Sequence, residues 1–316
     1  MKRIVTPDAV GSPAVGAVAS PEVHLMTLNV RRRMAASVSP HDRWNRRAPL
    51  VSRLLSSERP TVLGIQEALP DQAVVVADAL GDRYTCVGTG RDTDRRGERC
   101  EIHIDGDRMR FLDMRVHWLS GTPDVPGSRS FGNLLPRVAV QAEVEDLEVG
   151  SRFHVIVTHL DHLSEKSRRR SARLLREIAR SLDGPVVVMG DFNGGRRSGV
   201  FAELTRDDVL VDTWGTAARR LSPEWGTYSR YRAPAAGGNR LDRILVSPSV
   251  HVDAAAINPV RFDGAAASDH EPVHAVVRWP EREPRPHPEP RPEPHPDPHP
   301  NPNPNPKPRE DGDSPR

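Results

Sequence analysis

The chain has 316 residues, with 45 Lys and Arg against 43 Asp and Glu, 31 Pro and only two Cys. A net charge of +2 argues against a surface built to grip long nucleic acid, since a dedicated binder is normally far more basic. Two cysteines are too few for a disulfide scaffold, and no run of about 18 apolar residues is present to cross a membrane.

Residues 1–21 open with Lys2 and Arg3 but are then broken by Pro7, Gly11, Pro13 and Gly16, which denies them the apolar centre of a secretory signal. They read as a loose leader. A cytoplasmic protein follows, with Cys86 and Cys100 as reduced thiols, although their spacing alone leaves a bridge open. A foldable region spans 22–279, long enough for one sizeable core. Apolar runs bounded by turn residues predict strands at Val23 to Val30, Val62 to Gln66, Arg110 to Leu119, Arg137 to Val144, Phe153 to His159, Val186 to Gly190, Leu241 to Val246 and Val273 to Trp279. Val138, Val140, Ala142 and Val144 alternate with Arg137, Ala139, Gln141 and Glu143, the pattern of a strand with one face buried. The continuous run Val186 to Met189 suits a strand covered on both faces.

Helices are predicted over Leu50 to Ser57 behind Pro49, over Asp71 to Leu80 up to Gly81, and from an N-cap at Ser164 to about Leu182. In the last, Leu174, Leu175, Ile178, Ala179 and Leu182 form one stripe and arginines the rest. Strands outnumber helices and helices occur in both halves, so the expected fold is an α/β four-layer sandwich. Two mainly antiparallel sheets pack face to face with helices outside. Residues 280–316 hold fifteen of the prolines and no aliphatic or aromatic side chain. From Glu283 to Pro308 every second residue is Pro, which forbids a packed core and favours polyproline II, about 80 Å long at about 3.1 Å per residue. This segment is expected to be a disordered spacer, or alternatively a ligand for an aromatic-lined groove.

Oxygen-bearing side chains recur where strands end. Asn29 follows Leu25 to Leu28, Glu67 ends Val62 to Gln66, Asp191 and Asn193 end Val186 to Gly190, and Asp269 with His270 precedes the last strand. Carboxylates and amides at strand mouths are the donors that Mg²⁺ or Mn²⁺ prefers. His159 and His162 stand at the end of a strand, and histidine is the side chain best placed to move protons near neutral pH.

Thr27-Leu28-Asn29-Val30, Gly64-Ile65-Gln66-Glu67, Thr158-His159-Leu160-Asp161-His162, Gly190-Asp191-Phe192-Asn193, Leu241-Asp242-Arg243-Ile244 and Ser268-Asp269-His270-Glu271-Pro272-Val273 resemble, in order, the motifs of the endonuclease/exonuclease/phosphatase superfamily. The stretch from Phe111 through His117 to Pro123 and on to Arg137 resembles a mainly bacterial branch related to the carbon catabolite repressor type deadenylases. The resemblance implies a metal-dependent phosphoesterase of phosphodiesterase or nuclease-like type, with a phosphomonoesterase acting on a sugar, inositol or nucleotide phosphate as the alternative. In it Glu67 is the principal metal carboxylate, and Asn29, Asp191, Asn193 and Asp269 complete direct or water-mediated coordination. His270, oriented by Asp242, acts on the attacking water or the phosphoryl oxygens. His159, held by Glu98, stabilises the phosphorane or assists the leaving group. Arg137 and Arg240 are candidates to meet the substrate phosphate.

Two departures stand out: polar Glu101 and His103 lie where relatives commonly have aromatic or small residues, and the tyrosine that some nucleases use is not evident. The tail carries six basic and eight acidic residues, so residues 1–279 stand at +4. That excess suits one phosphorylated ligand: single-stranded nucleic acid, a nucleotide, a sugar or inositol phosphate, or a lipid headgroup. A monomer is expected. The rival reading is a non-catalytic adaptor on the same fold that presents the proline-rich tail.

Overall fold

The apolar runs become the strands of two stacked sheets. The computed structural model describes residues 13–280 except Val38 and Arg196; the proline-rich tail and the start of the leader lie outside the described residues. The strands are β1 (Val23–Asn29), β2 (Val62–Ala68), β3 (Tyr84–Gly90), β4 (Arg99–Asp105), β5 (Met109–Trp118), β6 (Val138–Asp146), β7 (Arg152–His159), β8 (Val186–Asp191), β9 (Val211–Asp212), β10 (Arg219–Arg220), β11 (Asp242–Val246), β12 (His251–Ile257) and β13 (Val273–Arg278). One sheet has the order β10-β12-β13-β1-β2-β4-β3 and the other β5-β6-β7-β8-β11-β9. Pairing is mainly antiparallel, but at the centre of each sheet one pair is parallel: β1 with β2, and β7 with β8.

Parallel neighbours need a crossover, and helices supply both. The first, α1 (Trp44–Glu58), links β1 to β2; α2 (Pro70–Leu80) follows β2, and α3 (Glu165–Ser181) links β7 to β8. Two short helices, α4 (Val200–Leu204) and α5 (Thr213–Thr216), come later. The Ser164 hydroxyl accepts the Ser167 backbone N–H at 3.1 Å and caps α3, which satisfies one of the free amides of the first turn. Three buried clusters separate the four layers. Val140, Val155, Ile102 and Ala275 lie among the residues between the sheets; Leu54, Leu55 and Val76 close α1 and α2 on the first sheet; Leu175 and Ala179 close α3 on the second. The fold is therefore the four-layer α/β sandwich. Cys86 and Cys100 are free thiols, the first exposed and the second buried. Among the described residues no helix is long and apolar enough to cross a membrane.

The sheets approach closely at Gly64 in β2, where a Cβ would lie 2.6 Å from Val157 Cγ2 and 2.9 Å from Met189 Cε. A glycine here lets the centre of one sheet rest on the centre of the other.

Part of the segment read as a loose leader is held. Glu58, at the end of α1, accepts the backbone N–H groups of Ala14, Val15 and Gly16 at 2.7, 3.2 and 3.1 Å, and the Asn258 amide at 2.6 Å. Beside it, His24 Nε2 meets His274 Nδ1 at 2.9 Å, and both rings are fully buried. Burial first, and then the neighbouring His274, bring the His24 pKa down to about 3. Burial also lowers His274, against the charge of Glu58.

The folded protein thus keeps these imidazoles neutral, whereas the unfolded chain protonates them below about pH 6.5. As pH falls the unfolded state binds more protons, so stability drops from about pH 6.5 towards the folded pKa. His24 alone contributes a slope of about 1.4 kcal/mol per pH unit once past its unfolded pKa. Urea midpoints measured from pH 7 to pH 4.5 are expected to fall, with a shallower fall in His24→Gln. Equal slopes in the two proteins would contradict the buried neutral imidazole.

Candidate functional site

The parallel pairs deliver their carboxyl ends to one edge of the sandwich. Asn29 ends β1 and Glu67 lies near the end of β2; His159 ends β7 beside Asp191, which ends β8. Two backbone features aim the carboxylates. Glu67 sits in a register break between β2 and β4 and has φ of 66°, a left-handed geometry that is uncommon outside glycine and is held here by its surroundings. Gly190, with φ of 145°, lies so close to Thr158 O that a Cβ would be 1.9 Å from it, so Asp191 leaves the strand in a direction that only glycine permits before it.

The side chains converge on Asp191 Oδ2. Asn29 Nδ2 donates to it at 3.0 Å, and His159 Nε2 and His270 Nε2 lie 3.6 and 3.8 Å away. The same Asn29 amide nitrogen donates to Glu67 Oε1 at 3.0 Å, while its oxygen accepts the Arg31 N–H at 2.9 Å. Asn29 therefore stands between two carboxylates as a hydrogen-bond donor to both. Asn193 is a second organiser. Its backbone N–H donates to Asp191 Oδ1 at 2.9 Å and its amide to Leu160 O at 3.0 Å.

The loop before β13 brings Asp269 and His270. Ser268 Oγ donates to Asn29 O at 2.6 Å and accepts the His270 N–H at 3.2 Å. Buried Arg47 of α1 donates to Val30 O at 2.7 Å, Arg31 O at 2.8 Å and Ala267 O at 3.3 Å, so one guanidinium ties together the two loops that carry the site. His270 Nδ1 lies 2.8 Å from Asp242 Oδ2, and the Thr227 hydroxyl accepts the Asp242 N–H at 3.0 Å.

These neighbours set the charges. Burial works against a charged His270, but Asp242 and Asp191 hold its pKa well above the ordinary imidazole range. Burial, then the charges of Arg137 and Arg91, push His159 well below it. Burial and the Asp242 charge raise Asp191 to about 7, while burial is the main influence that raises Asp269. For Glu67 burial is outweighed by the Asn29 and Arg32 hydrogen bonds, and its pKa falls.

A cavity of about 500 Å³ opens above this floor, lined by Glu67, His159, Asp191, Asn193, Asp269 and His270, with Arg31, Arg32, Arg91 and Arg137 on its walls. Of the residues singled out in the sequence, Asn29 and Asp242 lie just behind that lining, and Glu98 and Arg137 are part of it. Two expectations need correction. Glu98 does not hold His159; its oxygens take Arg91 at 2.5 and 3.0 Å and Arg32 at 3.1 Å. Arg240 is turned away from the cavity. It pairs with Asp212 at 2.7 Å and Glu224 at 3.2 Å and lies over the Trp214 ring, so its charge is already matched.

Tyr228 was missed. Its ring centroid is 4.8 Å from that of His270 and it lines the cavity, but it arrives on an irregular loop that has no periodic signal. Arg31, Arg32 and Arg91 were missed for the same reason. Arg137 differs from the other arginines of the wall. It is 2% exposed, donates through Nη2 to His162 Nδ1 at 3.0 Å, and leaves Nε and Nη1 buried without a hydrogen-bond partner. Buried donors without partners are costly, and a bidentate oxyanion is their natural complement.

The model of the Endonuclease/Exonuclease/phosphatase family matches residues 26–270. A protein of that family from Bacteroides thetaiotaomicron is 26% identical with a TM-score of 0.76, over 82% of this chain and 98% of that one. One from Bacteroides vulgatus is 29% identical with a TM-score of 0.75, over 82% and 99%. A mannosyl-6-phosphatase of Bacteroides thetaiotaomicron is 26% identical with a TM-score of 0.74, over 81% and 100%. No curated protein matches the chain at a significant level.

Inorganic phosphate is expected to raise the melting temperature of the protein, and Arg137→Met to abolish most of that rise. An equal rise in both proteins, measured by thermal denaturation, would place the anion elsewhere.

Proposed function

The chain belongs to the endonuclease/exonuclease/phosphatase family, and from that premise we propose that it is a divalent-cation-dependent hydrolase of phosphoester bonds. The convergence of Glu67, Asp191, His159 and the Asp242–His270 pair on the floor of one cavity carries this reading.

The donor set suits Mg²⁺ or Mn²⁺. Glu67, Asp191 and Asp269 are hard oxygen donors grouped on one floor, and burial together with the Asp242 charge raises Asp191 to about 7, a shift that a bound cation would reverse. Glu67 and Asp191 would hold the ion, with Asp269 reaching it directly or through water, while Asn29 and Asn193 keep the two carboxylates in place. When bound, the ion would neutralise a phosphoryl oxygen and polarise the ester.

The remaining work falls to side chains. Asp242 holds Nδ1 of His270, which fixes the ring and presents Nε2 to the cavity to hold or move a proton. His159, kept uncharged by burial and by two nearby guanidinium groups, presents Nε2 from the opposite sheet as a hydrogen-bonding partner for a reacting oxygen. Arg137 would bind a non-bridging oxygen through its free N–H groups.

A cavity of about 500 Å³ is of the size that takes one small phosphorylated molecule or the end of a single strand. Between these, the likeness to the mannosyl-6-phosphatase over 100% of that chain favours a phosphomonoester of a sugar. Nucleotides and single-stranded nucleic acid follow, because Tyr228 offers a ring on which a base could stack.

Purified protein should be assayed with Mg²⁺ and with Mn²⁺ against sugar 6-phosphates, nucleotides, bis-p-nitrophenyl phosphate, single-stranded RNA and DNA, and phospholipid. Turnover that is lost with a chelator and restored by the cation is expected, with kcat reduced on the order of a thousandfold in Glu67→Gln and in His270→Ala. Turnover that is indifferent to the cation, or near-native rates in both variants, would overturn the assignment. No turnover on any substrate would favour the adaptor reading.

A further inference from the structure

On the face of the first sheet turned away from the second, at the β3–β4 edge, three side chains outside the phosphoester site converge. Cys86 of β3 stands opposite His103 of β4 in the antiparallel register. Glu101 lies two residues before His103 and therefore shares its face. Glu101 and His103 are buried, while the sulfur-bearing Cys86 is exposed on the sheet edge. Gly88 stands opposite Glu101, and a Cβ there would lie 2.9 Å from Glu101 Cγ, so the glycine leaves the room that this carboxylate occupies.

His103 Nε2 is 3.7 Å from Cys86 Sγ and 3.4 Å from Glu101 Oε2, and all three atoms lie within 4.8 Å of one another. The Glu101 carboxylate draws on both the His103 ring and the Cys86 thiol, but the contacts of His103 Nε2, at 3.4 and 3.7 Å, are long, and one imidazole nitrogen bonds only one of its two neighbours. Glu101 Oε2 and His103 Nδ1 are buried without hydrogen-bond partners, while Arg99 occupies the other carboxylate oxygen. The triangle is not that of a catalytic Cys-His-acid relay either, because there the acid and the thiol sit on different ring nitrogens.

A cation at the centre accounts for all three atoms. Tetrahedral zinc, with Zn–S of about 2.3 Å, Zn–N of about 2.0–2.1 Å and Zn–O of about 2.0–2.2 Å, separates sulfur from nitrogen by about 3.5 Å and nitrogen from oxygen by about 3.3 Å. Both separations found here come within a few tenths of an ångström of these values. Thiolate and imidazole select a softer ion than the oxygen donors of the cavity do, so the two places would not compete for the same metal.

We propose that Cys86, Glu101 and His103 form a zinc site at the β3–β4 edge, separate from the phosphoester site, with water in the fourth position. The thiol gives its proton to solvent as the Zn–S bond forms.

The test uses the reduced, full-length chain, freed of metal with a chelator and titrated with Co²⁺ as a spectroscopic substitute and then with Zn²⁺. The expected result is a thiolate-to-cobalt charge-transfer band in the near ultraviolet that Zn²⁺ displaces. In Cys86→Ser that band should be absent and zinc content one equivalent lower than in the parent, with circular dichroism confirming the fold. Glu101→Gln should keep the band and weaken zinc at least about tenfold. The histidines of the tail are common to all these proteins and cancel in the comparison. Absence of the band in the parent, or its persistence in Cys86→Ser, would overturn the proposal.

Discussion

Asp191 Oδ2 is the point on which the architecture closes. An amide from β1, an imidazole from β7 and another from the loop before β13 all approach it within 3.8 Å. Those side chains are far apart in the chain and lie on different sheets, so the meeting demands that the sheets stack with their central strands in register. Each central strand pair is parallel, which forces a helical crossover and makes both carboxyl ends emerge at the same edge. The layers outside the sheets follow from that connection. The locally unusual backbone at Glu67 and Gly190 follows from the need to turn the final side chains inward. Arg47 completes the arrangement from behind by gathering the carbonyls of both loops.

The arginines divide by what already neutralises them. Arg31 faces Asp42 and Asp269, Arg91 and Arg32 share Glu98, and Arg240 and Arg243 share Asp212. On α3, Glu203 gathers Arg169, Arg173 and Arg176. Among the described residues, most guanidinium groups therefore face a carboxylate. Arg137 faces Asp161 at 4.0 Å but leaves two donors, Nε and Nη1, without a hydrogen bond, and it lines the cavity with His159.

Much of the frame was legible in the sequence because burial imposes periodicity. The alternation from Val138 to Val144 and the continuous run from Val186 to Met189 both mark strands, although β6 buries its second face too as far as Ala142, where Ala139 joins the cluster under α3, and Ser164 marks the start of α3. The motif residues stood at strand ends, where the resemblance placed them. The β3 and β4 strands were hidden. In β4, Cys100, Ile102 and Ile104 do alternate with Glu101, His103 and Asp105, but the run is short, follows a charged, turn-rich stretch, and buries its polar face as well as its apolar one. In β12 the register shifts between Val252 and Ala254 and the face is mostly alanine, which again blurs the pattern. The first helix starts at Trp44, earlier than Pro49 suggested, because Arg47 finds its partners in loop carbonyls that no local rule anticipates. Likewise, the pairing of Arg240 with Asp212 bridges distant segments and is invisible to spacing.

The close approach at Gly64 reaches beyond packing. Glu67 belongs to one sheet and Asp191 to the other, and the spacing between their carboxylates is inherited from the spacing between the sheets. That spacing is set three residues below Glu67, where Gly64 rests on Val157 and Met189. The bite that the proposed site would offer a cation then depends on core volume. Mg²⁺ accepts oxygen at about 2.0–2.1 Å and Ca²⁺ at about 2.3–2.6 Å, so a shift of a few tenths of an ångström between the sheets would matter. Discrimination by ionic radius would then be a property of apolar residues that never touch the ion.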